Sequence, residues 1–233
     1  YKLSNRSMII FNTQLRRVFK FALEKRYIKH IPHIPTFSDS EMIRKTHKIE
    51  KDVLKTMFKN ADLNAIKMYK LNNMKIPLYE RKQKFALYFF MYSGVRPNEF
   101  VNLKSNQIDL KRGTIDIVSV NPRKPGRLLP IHKNLRRILN VFWPYIQGRQ
   151  YINPWETKYG AYLAIKRLGR LSGSDNPVSL RSLRKTFASR LAESGAPLFY
   201  HSKIMGHSIK TSEKHYVELE TERLRDQINT LKI

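Results

Sequence analysis

The sequence predicts a mainly α-helical protein with one small antiparallel β-sheet set among the helices. Two patterns carry this expectation. Apolar residues recur every three or four positions through six long stretches, and between Ile108 and Ile131 that spacing gives way to short apolar runs bounded by turn residues. Composition bounds the class: 41% hydrophobic and 11% aromatic residues over 233 positions fill one good core or two modest ones, and exclude a disordered chain.

Charge points to the partner. Lysine and arginine number 45 against 18 acidic residues, a net +27. So large an excess repels itself unless an anion absorbs it, and nucleic acid comes before a ribosomal setting or an anionic membrane. No apolar run approaches the roughly twenty residues that span a bilayer, and no signal-peptide pattern opens the chain. Without cysteine there are no disulfides and no thiolate metal site, which fits a cytoplasmic, nucleoid-associated protein. The chain opens on Tyr1 rather than Met, so it reads as part of something longer.

In chain order, Asn5 to Tyr27 forms the first helix, with Ile9, Ile10, Leu15, Val18, Phe19, Ala22 and Leu23 on one face and basic residues on the other. One helix cannot bury its own stripe, so this one needs a partner. Ile31-Pro32-His33-Ile34-Pro35 breaks it, and a polar stretch to His47 reads as linker. Glu50 to Ala61 is helical, and Asn64 to Lys75 reads as a helix running into an inserted loop. Pro77 to Ser93 is helical and crowded with Phe85, Leu87, Phe89 and Phe90, so it is the expected core. Ile108–Leu110, Thr114–Val120 and Leu128–Ile131 are the expected strands. His132 to Phe142 is an amphipathic helix expected to end at Trp143-Pro144, with Trp143 and Trp155 as core anchors. Lys158 to Leu171 is helical, with Tyr159, Tyr162, Leu163, Ile165 and Leu168 expected to pack.

The chemistry concentrates between Val178 and Tyr216. Leu183, Phe187 and Leu191 repeat every four residues, with Ser179 as N-cap and Gly195 as stop. Arg181 and Arg184 stand on one side of the first turns, where the helix dipole favours an anion. Further on come Gly206-His207 and then Tyr216, nine residues after the histidine. Two guanidinium forks, a histidine and a phenol suit a phosphate under attack, since the fork grips phosphate oxygens in pairs. Upstream, Arg96 starts a helix after Gly94, and Glu99 on the same face is placed to hold Arg96 without touching substrate. His201, His207 and His215 have no metalloprotease-like spacing, and no glycine-rich phosphate loop appears, so neither a metal nor a nucleotide cofactor is expected.

These same residues carry a family resemblance. Leu183-Arg184-Lys185-Thr186-Phe187-Ala188 resembles the second box of the tyrosine site-specific recombinases, the phage integrase family. Met205-Gly206-His207-Ser208 followed by Tyr216 resembles the family's Leu-Gly-His-Ser box and nucleophile, and Gly94-Val95-Arg96-Pro97-Asn98-Glu99-Phe100 its first box. Pro122-Arg123-Lys124-Pro125-Gly126-Arg127 resembles a shortened version of the family's lysine hairpin, with Lys124 the match and Arg123 and Arg127 left open. The likeness is good over Ile49 to Tyr216 and loose over Asn5 to Pro35. It implies the C-terminal part of a helical core-binding DNA clamp over 1–36, a linker over 37–48, a catalytic domain over 49–216 and a tail helix over 217–233. That tail, with Val217, Leu224, Ile228 and Leu231 as a thin stripe, folds on its own domain or docks on a neighbouring protomer.

The resemblance implies an integrase that cuts and rejoins double-stranded DNA through a 3′-phosphotyrosyl bond, with neither metal nor ATP. Its catalytic set here is Arg96, Lys124, Arg181, Arg184, His207 and Tyr216. It implies a homo-oligomer as well, a dimer on each site and a tetramer in the paired complex. One departure stands out: Arg181 occupies a position where the family usually has histidine, and arginine cannot give up a proton near neutral pH. Two rivals remain at this point, a type IB topoisomerase-like enzyme that reseals the same strand and a DNA-binding protein that has lost catalysis.

Overall fold

The computed structural model describes residues 5–36, 47–71, 78–119, 126–155 and 157–212. The linker residues 37–46, the hairpin tip with Arg123 and Lys124, and everything from 213 on, Tyr216 and the tail included, lie outside the described residues. The chain divides into two compact units, 1–45 and 46–233. The first holds α1 (Asn5–Glu24), after which an extended segment folds back: Asn12 donates to the Pro35 carbonyl at 2.8 Å and Arg16 to that of Ile34 at 3.1 Å. Of the apolar stripe expected on α1, Ile10, Val18 and Leu23 stay exposed, together with Phe11 and Phe21.

The second unit is built around α3 (Leu78–Ser93). Helices apolar on every side belong in a core, and Phe85, Ala86, Leu87, Phe89 and Phe90 are all fully buried. Around α3 pack α2 (Lys51–Leu71), α5 (Lys133–Ile146), α6 (Lys158–Leu171) and α7 (Leu180–Glu193). Phe100, on the short α4 (Pro97–Asn102), meets Phe89 at 5.3 Å and Phe90 at 5.0 Å between ring centroids, which ties α4 to the core helix. Each such buried phenylalanine contributes roughly 1.5–3 kcal/mol. Thr186 on α7 closes the entry to the unit by accepting from the Ile49 amide at 2.9 Å.

The sheet is antiparallel in the order β1 (Ile108–Asp109), β2 (Thr114–Ile117), β3 (Arg127–Pro130). Its register sets Ile115 opposite Leu129 and Ile117 opposite Arg127. Side chains alternate between faces along a strand. With Ile115, Ile117 and Leu129 buried and Leu128 two-thirds exposed, the register turns Arg127 inward as well. Strands β1 and β2 end earlier than the sequence predicts, at Asp109 and Ile117, and β3 keeps its length but lies one residue earlier, Arg127–Pro130.

Three expectations need correction. Helix α5 does not stop at Trp143-Pro144 but runs through Pro144 to Ile146. Proline loses its own N–H bond and crowds the carbonyl four residues back, and against that cost Ile146, 2% exposed, anchors the last turn in the core. On α6 the packing face is Ala161, Ala164, Ile165 and Leu168, whereas Tyr159 and Leu163 point to solvent. The small residues let α6 lie close to α3, and the larger ones are left outside. On α7 the stripe is wider than Leu183, Phe187 and Leu191: Leu180, Leu183, Ala188 and Ala192 are buried, while Phe187 and Leu191 are half-buried.

Gly94 turns the chain from α3 into α4 at φ +60°, a conformation that suits glycine. A Cβ there would lie 2.3 Å from the Phe187 ring. Gly94→Ala is therefore expected to cost about 2–4 kcal/mol through left-handed strain and overpacking. A urea midpoint equal to the wild type's would contradict this account of the turn.

Candidate active site

Helix α8 (Leu198–Met205) ends at Gly206, which is left-handed at φ 59° and delivers His207 to the surface of α7. The last carbonyls of any helix lack intrahelical partners and carry the negative end of its dipole. Here three successive carbonyls each receive a guanidinium from a different element. Arg127 on β3 donates its Nε to Ile204 O at 2.8 Å, Arg184 on α7 its Nη2 to Met205 O at 2.5 Å, and Arg96 before α4 its Nη2 to Gly206 O. Arg184 also donates to the carbonyl of Gly94. The first box, the second box and the Gly-His turn thus meet at one helix end.

Among these cations sits one buried carboxylate. Glu99, 8% exposed, accepts the Arg96 amide at 2.7 Å and the Arg96 Nη1 at 2.6 Å, as the sequence anticipates. Its second partner was not anticipated. Arg127 forks both oxygens at 2.9 and 2.8 Å. Burial by itself would raise the Glu99 carboxyl, but the Arg127 and Arg96 hydrogen bonds and the Arg127 charge overcome it and hold the group at about 2. Burial and the neighbouring Arg96 push the Arg184 guanidinium down to about 9, which leaves it charged at neutral pH. Three guanidiniums against one carboxylate leave a local cationic excess.

Arg184 Nη2 lies 2.7 Å from His207 Nε2. A guanidinium only donates, so Nε2 accepts and the ring proton is on Nδ1. Beside this contact opens a pocket of about 410 Å³ lined by Arg96, Arg181, Arg184, Lys185 and His207. Arg181 is exposed and Lys185 half-buried one helical turn on, so the pocket wall carries fixed positive charge where the resemblance leads one to look for histidine. The structure therefore brings four of the expected residues together: Arg96, Arg181, Arg184 and His207. Arg127, left open in the sequence as a match to the family's hairpin lysine, is buried and spent on Glu99 and α8; its side chain is 8% exposed. The strand alternation Arg127-Leu128-Leu129 was the signal for that inward course. His201 is a core residue that ties α8 to α7 through the Ala188 carbonyl at 3.1 Å; burial, chiefly, lowers its pKa.

The profile of the Phage integrase family matches residues 47–223. Tyrosine recombinase XerD of Listeria innocua is 23% identical over 237 residues, 96% of this chain and 75% of its own length. Tyrosine recombinase XerC of Bacillus licheniformis is 26% identical over 227 residues, 91% of this chain and 69% of its own. Among solved structures, the XerA recombinase superposes with a TM-score of 0.60 at 19% identity, covering 95% of this chain and 84% of that one. The Tn1549 transposon integrase, in complex with a circular intermediate DNA, superposes at 0.69 with 14% identity, covering 99% and 80%. The fold is the tyrosine-recombinase catalytic fold.

Glu99 provides a pH test. Its folded carboxyl titrates near 2, below its ordinary 4.5, so the unfolded chain takes up this proton first. The stability it contributes is complete above pH 4.5 and drains away as pH falls toward 2. Glu99→Gln is expected to cost about 3 kcal/mol or more near neutrality, because it leaves buried guanidiniums without their anion. The gap in urea midpoint between wild type and variant should then narrow below pH 4.5. A gap that stays constant with pH would show that Glu99 is not held as the anion.

Proposed function

The chain belongs to the phage integrase family and is a tyrosine recombinase acting on DNA; we propose that it cleaves and rejoins strands by attack of Tyr216 on a phosphodiester held by Arg96, Arg181 and Arg184. The observation that carries this reading is the convergence of those arginines and His207 on one open, cationic pocket. A phosphodiester repels nucleophiles, and catalysis needs cations where charge grows in the transition state. Arg96 and Arg184 are held by carbonyls and by Glu99, so they meet the nonbridging oxygens already oriented. Arg181 adds charge from the rim and has no proton to exchange.

In this reading Tyr216 forms the new P–O bond and the 5′ oxygen leaves, so the phosphodiester energy is kept in a 3′-phosphotyrosyl link for religation. A free phenol has a pKa of about 10, and the clustered cations favour its ionised form. Lys124, on the β2–β3 hairpin that Arg127 closes, protonates the leaving oxygen. A phosphate oxygen entering beside Arg184 takes over its donor and frees His207 Nε2, which as the bare nitrogen helps take the tyrosine proton or, once protonated, donates to the phosphate. Strand exchange needs active sites acting in turn, so the reading includes a dimer on each site, a tetramer across two sites, and a cytoplasmic, nucleoid-associated setting. The complex of the Tn1549 integrase with a circular intermediate DNA supports DNA as the partner.

Tyr216→Phe removes one oxygen and is expected to bind DNA as wild type does while forming no covalent adduct on a nicked suicide substrate. A denaturation-resistant adduct from the Phe variant would place the nucleophile elsewhere. If the wild-type chain forms none, the lapsed DNA-binding alternative holds instead. Relaxation of supercoils by monomers, without exchange between sites, would favour the topoisomerase-like alternative.

Affinity should also fall steeply with salt, since a +27 chain displaces counterions from the phosphates it neutralises, with a log–log slope of roughly −0.9 per contact. A flat response would assign the charge to another partner.

A further inference from the structure

The residue with no place in this chemistry is Arg127. It does not line the pocket that Arg96, Arg181, Arg184 and His207 share, and it reaches only the adjoining larger cavity of about 850 Å³ that Arg96, Gly206 and His207 border from their other side. Its charge is nonetheless buried, which is costly unless the guanidinium is well paired. The pairing is complete in kind: Nη1 and Nη2 hold the two Glu99 oxygens and Nε holds the Ile204 carbonyl. Three directed donors in one plane are what a guanidinium has and an ammonium lacks.

Each contact leads to a catalytic group. Glu99 fixes both the backbone and the side chain of Arg96. Ile204 is three residues before His207, in the turn that presents it, and a Cβ at Gly206 would stand 3.0 Å from Arg127 Nη1. That turn is therefore packed directly on the guanidinium. Strand register directs Arg127 to this spot, opposite the buried Ile117.

We propose that Arg127 is a positioning residue for the cleavage step, clamping Glu99 and the end of α8 so that Arg96 and His207 face the scissile phosphate together. The inference rests on the functional reading above. It separates rate from binding: the Arg127 side chain is 8% exposed and its donors are taken by Glu99 and Ile204, so its loss misplaces catalytic groups and leaves the exposed DNA-binding surface as it was. It also predicts a pH signature. The charged groups facing Glu99 are Arg96 from the start of α4, Arg127 from β3 and Arg184 from α7. Without Arg127, burial acts on the carboxyl with less opposition, and Glu99 takes up its proton at higher pH.

The test uses the full chain with Arg127→Lys and Arg127→Met, measuring single-turnover adduct formation on a nicked duplex, DNA affinity and melting temperature across pH. Arg127→Lys keeps the charge and loses the fork, and should slow cleavage about 10- to 100-fold with affinity nearly unchanged. Arg127→Met should be slower again, and its rate should fall with acid at a higher pH than the wild type's. Should Arg127→Met fail to fold, the split between rate and affinity in Arg127→Lys decides alone. Two folded variants that cleave at the wild-type rate would sink the assignment, as would rate and affinity declining together with no shift in the acid limb. A wild-type chain that forms no adduct overturns the functional reading and this inference with it.

Discussion

The site depends on one helix end. Helix α8 is only eight residues long, and its last carbonyls would face a desolvated region without partners. Guanidiniums from three elements far apart in sequence supply the donors. The same contacts satisfy the helix end and orient two arginines toward the pocket. Cations are favoured at this end of a helix dipole, which lets three of them gather where mutual repulsion would otherwise scatter them.

Glu99 makes that gathering tolerable. One carboxylate between Arg96 and Arg127 offsets part of the repulsion and still leaves net positive charge for an anionic substrate. A second carboxylate would have left a single positive charge among the three guanidiniums, and none at all would have left them held by carbonyl dipoles alone. Burial strengthens these interactions and raises the cost of losing any one of them.

Behind the arginines stands α3, whose aromatic side chains fix where its C-terminal end lies. Gly94 follows that end directly, and its carbonyl meets Arg184 while its missing side chain admits Phe187. The catalytic boxes are thus referenced to the densest part of the core. A pocket tolerant of only small displacements needs such a rigid base.

Local patterns in the sequence were enough to place most of the helices, the antiparallel hairpins, the Ser179 cap and the Arg96–Glu99 pair, because each depends on residues within about one helical turn or one strand; they gave no sign of the eight-residue α8 and split α2, which runs unbroken from Lys51 to Leu71. Residue types alone put Arg181, Arg184 and His207 around a phosphate, and the resemblance of the motifs joined Arg96 to them. What the tertiary structure decided are matters of long range. Pro144 stays within α5 because Ile146 is drawn into the core, and α6 turns its small residues inward because α3 leaves little room. Arg127, which the sequence left open as a hairpin-lysine match, is buried against partners, Glu99 and Ile204, that lie 28 and 77 residues away. No periodicity in a single strand or helix reports a partner at that distance, and only the folded chain brings the charges close enough to choose one another.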